Sequence, residues 1–292
     1  MDLEVLTGTD AGQLRRMQEL ARGRWGWSSR WHPGELAAFW WEHGGPRPGW
    51  RVATWTVGRR TVAWAWVRTA GRLDLQVDPA HLDVLPAVLE WFAADDGPGP
   101  RAVTVLDAET WLVDPLAEAG FRPAPDGPYF VHLRRGLGDL TAPPPRPAGF
   151  TLRPVRGAED AALRAALHSA AFGGTVAAAD YRALMADPSY RPELDRVVEA
   201  PDGTPAAFCL GWLDATSGVV VLEPVGTDPR YRRLGLARAA VHATLAAATD
   251  QGATAARVCA RGDDGAPAAR ATYESLGFRR YARNVRLVTP PA

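Results

Sequence analysis

The 292-residue chain contains no lysine and no isoleucine, and its single asparagine is Asn284. The codons of those three residues are AT-rich, so their scarcity points to a GC-rich bacterial genome rather than to a functional pressure. Cysteine is scarce too. Cys209 and Cys259 are too few for a disulfide framework, and no CxxC or Cys/His pairing suggests zinc. Both lie in apolar, strand-like segments, where buried free thiols are expected. Net charge is absent: 33 arginines balance 33 acids, which leaves no bulk basic field to recruit nucleic acid. No stretch approaches the roughly 20 consecutive apolar residues of a membrane helix. The start, Met1-Asp2-Leu3-Glu4, is acidic where a secretion signal is basic. These absences lead to the expectation of a cytoplasmic protein without a metal, a membrane or a nucleic-acid partner; they leave the oligomeric state open.

What is present is globular. Hydrophobic residues make up 47% and charged residues 23% of the chain, and at ~150 residues per domain the length suits two domains. Residues 139–149 read DLTAPPPRPAG. Pro143, Pro144, Pro145 and Pro147 lack the N–H and fix φ, so this is a stiff extended spacer. The expected division is a domain over 1–140, a proline-rich linker over 141–149, and a second domain over 150–292. Eleven of the twelve tryptophans precede the linker.

The two halves echo each other. Val77-Asp78-Pro79-Ala80-His81 follows a strand-like run and precedes a helix-like stretch, and Thr227-Asp228-Pro229-Arg230-Tyr231 does the same. Later, Leu116-Ala117-Glu118-Ala119-Gly120-Phe121-Arg122 parallels Tyr273-Glu274-Ser275-Leu276-Gly277-Phe278-Arg279. Similar order and spacing indicate a tandem repeat of one fold. In the second half, apolar spacing predicts helices over 158–171, 176–185, 236–248 and 267–276. Strands are expected over 195–200, 206–213, 218–225, 255–260 and 278–288, an alternation that implies an α/β or α+β domain with a mixed sheet.

The most informative stretch is Glu223-Pro224-Val225-Gly226-Thr227-Asp228-Pro229-Arg230-Tyr231-Arg232-Arg233-Leu234-Gly235-Leu236-Ala237-Arg238. A strand ends, a loop follows, and a helix opens near Gly235. The first turn of a helix has unpaired N–H groups and the positive end of the dipole. Gly235 and Ala237 leave room for a diphosphate to approach those groups, and the arginines add charge. Glu223 sits in an apolar run, where a carboxylate is costly unless usefully placed. Alternation sends Glu223 and Val225 towards one face.

Arg232, Gly235 and Ala237 at a strand–helix junction, followed by Tyr273-Glu274-Ser275-Leu276-Gly277-Phe278, resemble the GNAT superfamily of acyl-CoA-dependent N-acetyltransferases, with a likeness covering 150–288. The resemblance implies an α/β (α+β) fold of two tandem GNAT-like domains, each a mixed, mostly antiparallel sheet flanked by helices. It implies acetyl-CoA, or another acyl-CoA, as co-substrate. The diphosphate would rest on the amides of Arg233, Leu234, Gly235, Leu236, Ala237 and Arg238, beside Arg232. The pantetheine arm would pair with the backbone of Val225 and Thr227. Tyr273 would protonate the departing thiolate, and Glu223 would act as general base or would bind a cationic acceptor. The acceptor, a small-molecule or peptide amine, would meet the first two helices, where His168, Phe172 and Tyr181 are lining candidates with Tyr190 and Arg191; Asp187 and Asp195 are candidate amine partners. Two family positions depart: Ala266 stands where asparagine is common, and Thr272 where leucine precedes the tyrosine. A non-catalytic acyl-CoA-binding module, transfer of a longer acyl chain, or transfer to an alcohol are the alternatives.

In the N-terminal half, the matching turn has neither the glycine nor the arginines, Asp83 would repel a diphosphate, and Leu116 replaces the tyrosine. This domain is expected to be a non-catalytic copy. Its cluster of Trp25, Trp27, Trp31, Trp40, Trp41 and Trp50 would serve core and interdomain packing, or would form an aromatic wall for a bulky acceptor, an acyl chain or a peptide.

Overall fold

A computed structural model describes residues 3–94, 99–124, 127–140 and 142–290; Thr141 of the expected linker lies outside the described residues. The first half of the chain supplies β1 (Leu3–Thr7), α1 (Ala11–Gly23), α2 (Pro33–Trp41), β2 (Arg51–Val57), β3 (Arg60–Thr69), β4 (Arg72–Val77), α3 (Leu85–Ala93), β5 (Ala102–Leu106), α4 (Thr110–Glu118) and β6 (Arg122–Pro123). The second half supplies β7 (Phe130–Gly136), β8 (Thr151–Pro154), α5 (Ala161–Phe172), α6 (Ala178–Met185), β9 (Asp195–Glu199), β10 (Pro205–Asp214), β11 (Val219–Thr227), α7 (Leu236–Asp250), β12 (Ala255–Arg261), α8 (Pro267–Ser275) and β13 (Arg279–Val288). Among the described residues no helix is long and apolar enough to cross a membrane.

The chain forms two compact units that interleave in sequence. The first comprises Met1–Leu36, Pro46–Val131 and Ala282–Ala292, and the second Ala37–Gly45 and His132–Tyr281. The sequence reading draws contiguous domains. The structure instead assigns a nine-residue piece of the N-terminal half to the second unit and the C-terminal segment to the first.

In the first unit the strand order is β1-β2-β3-β4-β5, closed by the antiparallel pairing of Asn284 to Val288 with β5. Strand β3 is buried at every position from Val62 to Val67. That is the pattern of a central strand covered on both faces. Helices α3 and α4 bring Leu85, Val88, Phe92, Leu112 and Leu116 onto this sheet. Asp10 starts α1 by accepting the amides of Gly12 (2.6 Å) and Gln13 (3.0 Å).

In the second unit the order is β7-β12-β11-β10-β9-β8, with β11–β12 parallel and the pairs from β11 through β10 and β9 to β8 antiparallel. Helix α7 buries Leu236, Val241 and Leu245 fully, each contributing about 1.5–3 kcal/mol by leaving water. The expected helices and strands of this half are present, with ends within a few residues of the sequence reading. Cys209 is buried and burial pushes its thiol up to about 12, whereas Cys259 is only half-buried, because its strand position still opens partly to solvent.

Both Asp-Pro turns adopt one geometry. The Asp78 carboxylate accepts the Ala80 amide (3.0 Å) and the Asp228 carboxylate accepts the Arg230 amide (2.9 Å), each followed by a short helical stretch that starts on the next proline. Such an Asx cap satisfies an amide that the proline-started turn leaves bare.

Candidate active site

Strand β11 organises the site. Up to Leu222 it is buried on both faces; from Glu223 onward burial alternates, with Glu223, Val225 and Thr227 half-buried and Pro224 and Gly226 buried. Cys209 pairs with Val225 but Gly211 pairs with Leu222, so Glu223 and Pro224 together oppose Leu210. This is a β-bulge, which bends a strand and re-aims its side chains. Pro224, after a cis peptide bond, has no N–H for the ladder. The Trp212 indole N–H donates to the Glu223 carbonyl at 2.7 Å and fixes the bulge from below. Gly226 is required by a close approach: a Cβ there would lie 2.6 Å from the Phe208 ring and 2.9 Å from the Ala171 methyl. The parallel register with β12 runs from Val219–Ala255 to Val221–Arg257, while the ladder with β10 continues to Thr227.

Glu223 and Pro224 form one wall of a cavity of about 230 Å³ in the second unit. His168 and Phe172 come to it from α5, Tyr181 from α6, and Trp41 and His43 from the 37–45 segment. Three of the lining candidates and the candidate base therefore meet in one cavity. Phe172 is 56% exposed at its rim. His168 stacks on Phe208 (ring centroids 6.0 Å apart). Burial first, then the electrostatic effect of Arg164 and His43, push its imidazole down to about 4, so it is neutral at neutral pH and unsuited to donating a proton there.

The two carboxylates expected as amine partners are engaged elsewhere. Asp195 is fully buried and accepts from Arg164 Nε (3.0 Å), the Tyr181 hydroxyl (2.9 Å) and the Tyr190 hydroxyl (3.1 Å). Asp187 accepts the Trp41 indole N–H (2.6 Å) and the Ser189 amide (2.8 Å). Neither carboxylate lines the cavity; each positions an aromatic ring that does. Tyr181 thus presents its ring, with its phenol held protonated by burial. Sequence reasoning missed His43, Glu42 and Asp180 on the cavity wall. Trp41 was visible only as one member of a tryptophan cluster.

At the other end of β11 the chain turns through Asp228 into the loop that opens α7. Arg233 (φ 67°) and Gly235 (φ 77°) are both left-handed, and no side chain caps the helix at Gly235. A non-glycine residue in that region is strained, and the loop so formed turns its backbone to give the helix N-terminus a bare first turn. A Cβ at Gly235 would find its nearest neighbours at 3.9 and 4.0 Å, so backbone conformation, not crowding, selects glycine. The arginines differ in duty. Arg230 is tied to Asp228 (2.8 Å), and Arg232 donates to the Ala171 carbonyl at the end of α5 (3.1 Å). Arg233 is exposed, and Arg238 is half-buried with an Nε lacking a partner among the described residues. Leu234 is 42% exposed; the Leu236 side chain is core, leaving only its backbone to the loop, and Ala237 is half-buried.

Tyr273, on α8, is buried with its ring 5.9 Å from that of Phe278. Burial, followed by the negative charge of Glu223, holds its phenol well above 10. It stays protonated and can donate. The described residues contain no cluster of His, Cys, Asp and Glu able to hold a metal ion.

A splaying parallel pair beside a bulged strand that runs into a glycine-opened helix is the architecture of the acetyltransferase fold of the GNAT type. Residues 165–278 match the model of the Acetyltransferase (GNAT) family. The chain is 36% identical over 181 residues to a mycothiol acetyltransferase of Kineococcus radiotolerans; the match takes in 60% of this chain and spans 57% of that relative's length. Among solved structures, a tandem GNAT protein from the clavulanic acid biosynthesis pathway superposes with a TM-score of 0.64 at 15% identity, over 99% of this chain and 98% of its own. A GCN5-related N-acetyltransferase from Sphaerobacter thermophilus gives 0.61 at 17%, over 98% and 95%. Those two establish the fold: the mixed, mostly antiparallel sheet flanked by helices that the sequence reading expected.

Proposed function

We propose that this protein transfers an acetyl, or another short acyl, group from acyl-CoA to the primary amine of a small molecule or peptide by direct attack, in the cytoplasm. The observation that carries this reading is the course of β11, which brings Glu223 into the wall of a cavity and then leads into an uncapped helix start at Gly235. Acyl-CoA supplies an acyl group activated as a thioester. The amides of 233–238, with Arg233 and Arg238, suit its phosphates. A helix N-terminus stabilises a nearby anion by about 0.3–1 kcal/mol per charge, and by up to ~2 kcal/mol where partly buried. The half-exposed edge of β11 at Val225 and Thr227 suits an extended amide-bearing arm, and the Val225 N–H is the candidate donor to a carbonyl that gains negative charge.

Glu223 accepts the proton that the amine sheds as its nitrogen bonds the acyl carbon, directly or through water, and Tyr273 supplies a proton to the sulfur as the C–S bond breaks. The match to the GNAT family and a relative named for acetyl transfer support the reaction class, and that relative's name supports a small-molecule acceptor. The test is thiol release from acetyl-CoA across a panel of amines. Release that depends on the amine and slows in Tyr273→Phe is expected; binding of CoA with no release for any amine would leave the binding-module alternative.

A further inference from the structure

Resting on the transferase reading, we propose that the acceptor is a small primary amine with an aromatic, uncharged body, an arylalkylamine in chemical class, and that the site disfavours amino sugars and acceptors bearing a carboxylate or phosphate. The cavity is about 230 Å³, below the ~300–1,000 Å³ of pockets that hold drug-sized ligands. It therefore suits a single ring with a short amine arm.

Its walls are ring faces. Trp41, Phe39, Phe172 and Tyr181 line it, joined by Val176 and Leu184. The polar atoms of the two amphipathic rings are engaged outside it: the Trp41 N–H with Asp187 and the Tyr181 hydroxyl with Asp195. A polyol entering here would lie against those apolar side chains, and each hydroxyl left unpaired costs about 1–3 kcal/mol.

Charge gives the second, independent argument. In a chain with 33 arginines, none lines this cavity, whereas Glu42, Asp180 and Glu223 all do. The His168 imidazole beside them is neutral at neutral pH. An ammonium group gains from those carboxylates and from the faces of the aromatic rings. A carboxylate on the acceptor meets three like charges, with the His43 imidazole the one lining group besides His168 that could offset them. The second unit thus separates its charges, with arginines at the α7 start and carboxylates with aromatic faces at the cavity.

The experiment uses the full-length protein and a matched set: phenethylamine, phenylalanine (the same ring and arm with an added carboxylate) and glucosamine. With acetyl-CoA, kcat/KM from thiol release is expected to be at least about tenfold higher for phenethylamine than for either competitor; equality or reversal overturns the proposal. Calorimetric titration of the three compounds into protein without acetyl-CoA gives a readout that does not need turnover. Preferred binding of phenethylamine, weakened about tenfold in Trp41→Ala while CoA titrates as in the parent, upholds the proposal. Equal binding of the three, or no effect of Trp41→Ala, overturns it. Failure of CoA itself to bind would instead strike the transferase reading, while the amine titrations still decide this one.

Discussion

The two Asp-Pro turns begin alike and end in different chemistry. After Asp228 the chain makes one short helical turn, Pro229 to Tyr231, and then a loop in which Arg233 and Gly235 are left-handed before α7 starts. After Asp78 a helical stretch from Pro79 to Val84, broken at His81 (φ −134°), leads into α3 at the next residue, Leu85. Val84, 2% exposed, occupies the helix cap, and Leu85 stands seven residues after Asp78 as Gly235 does after Asp228. The bare first turn is thus lost by running one helix into the next. Five residues before the aspartate, Glu223 corresponds to Leu73, a core residue. Tyr273 corresponds to Leu116, which is fully buried. The first unit has its own cavity of about 410 Å³, but its one lining carboxylate, Glu109, accepts the amides of Arg30 (2.9 Å) and Leu106 (2.8 Å) and is structural. Both units keep the Asp-Pro turn, and a handful of positions separates the proposed acyl-transfer site from its counterpart in the first unit.

The largest effect that tests this contrast is at Glu223. Glu223→Gln should lower kcat by about 10²–10⁴-fold, the usual contribution of a general base, and should remove the acidic limb of the pH–rate profile; an intact limb sends the proton elsewhere. Tyr273→Phe should cost about 10²-fold in kcat with CoA affinity unchanged, and unchanged turnover would remove Tyr273 from the chemistry. Gly235→Val should weaken CoA binding by about tenfold or more, because a β-branched residue resists a left-handed backbone at a cost of roughly 1–3 kcal/mol. Calorimetry should also find one CoA per chain, and a stoichiometry of two would break the contrast outright. The smallest effect concerns acid stability. His168 binds its proton near 4 in the folded chain against 6.5 ordinarily, so the unfolded chain takes up more protons between those values. Stability is then lost as pH falls from about 6.5 towards 4. Chemical denaturation of His168→Phe should show a loss smaller by about 2 kcal/mol over that window.

Much of the scaffold was legible because local chemistry sets it. The helix over 236–248 follows from alanine-rich, 3.6-periodic spacing, and the structure extends it only to Asp250. The run from Val219 to Leu222 could only be a buried strand. Nothing in that run showed that Glu223 and Pro224 would share one partner. What stayed hidden depends on distant partners. Nothing near Asp195 in sequence shows that Arg164, 31 residues earlier, occupies it. Nor does the left-handed turn at Arg233 have a signature of its own. The place of residues 37–45 was hidden for the same reason: Ala37 and Ala38 pack with Ala161, Tyr181 and Trp212, which lie more than a hundred residues away.

That last feature has a consequence for how such a gene can be cut and recombined. A fragment beginning at the proline-rich stretch would carry the loop before Gly235, Glu223 and Tyr273, but would arrive without Trp41, Glu42 and His43. An exchange of the C-terminal half alone would therefore replace the Glu223 side of the cavity while keeping the original Trp41, Glu42 and His43.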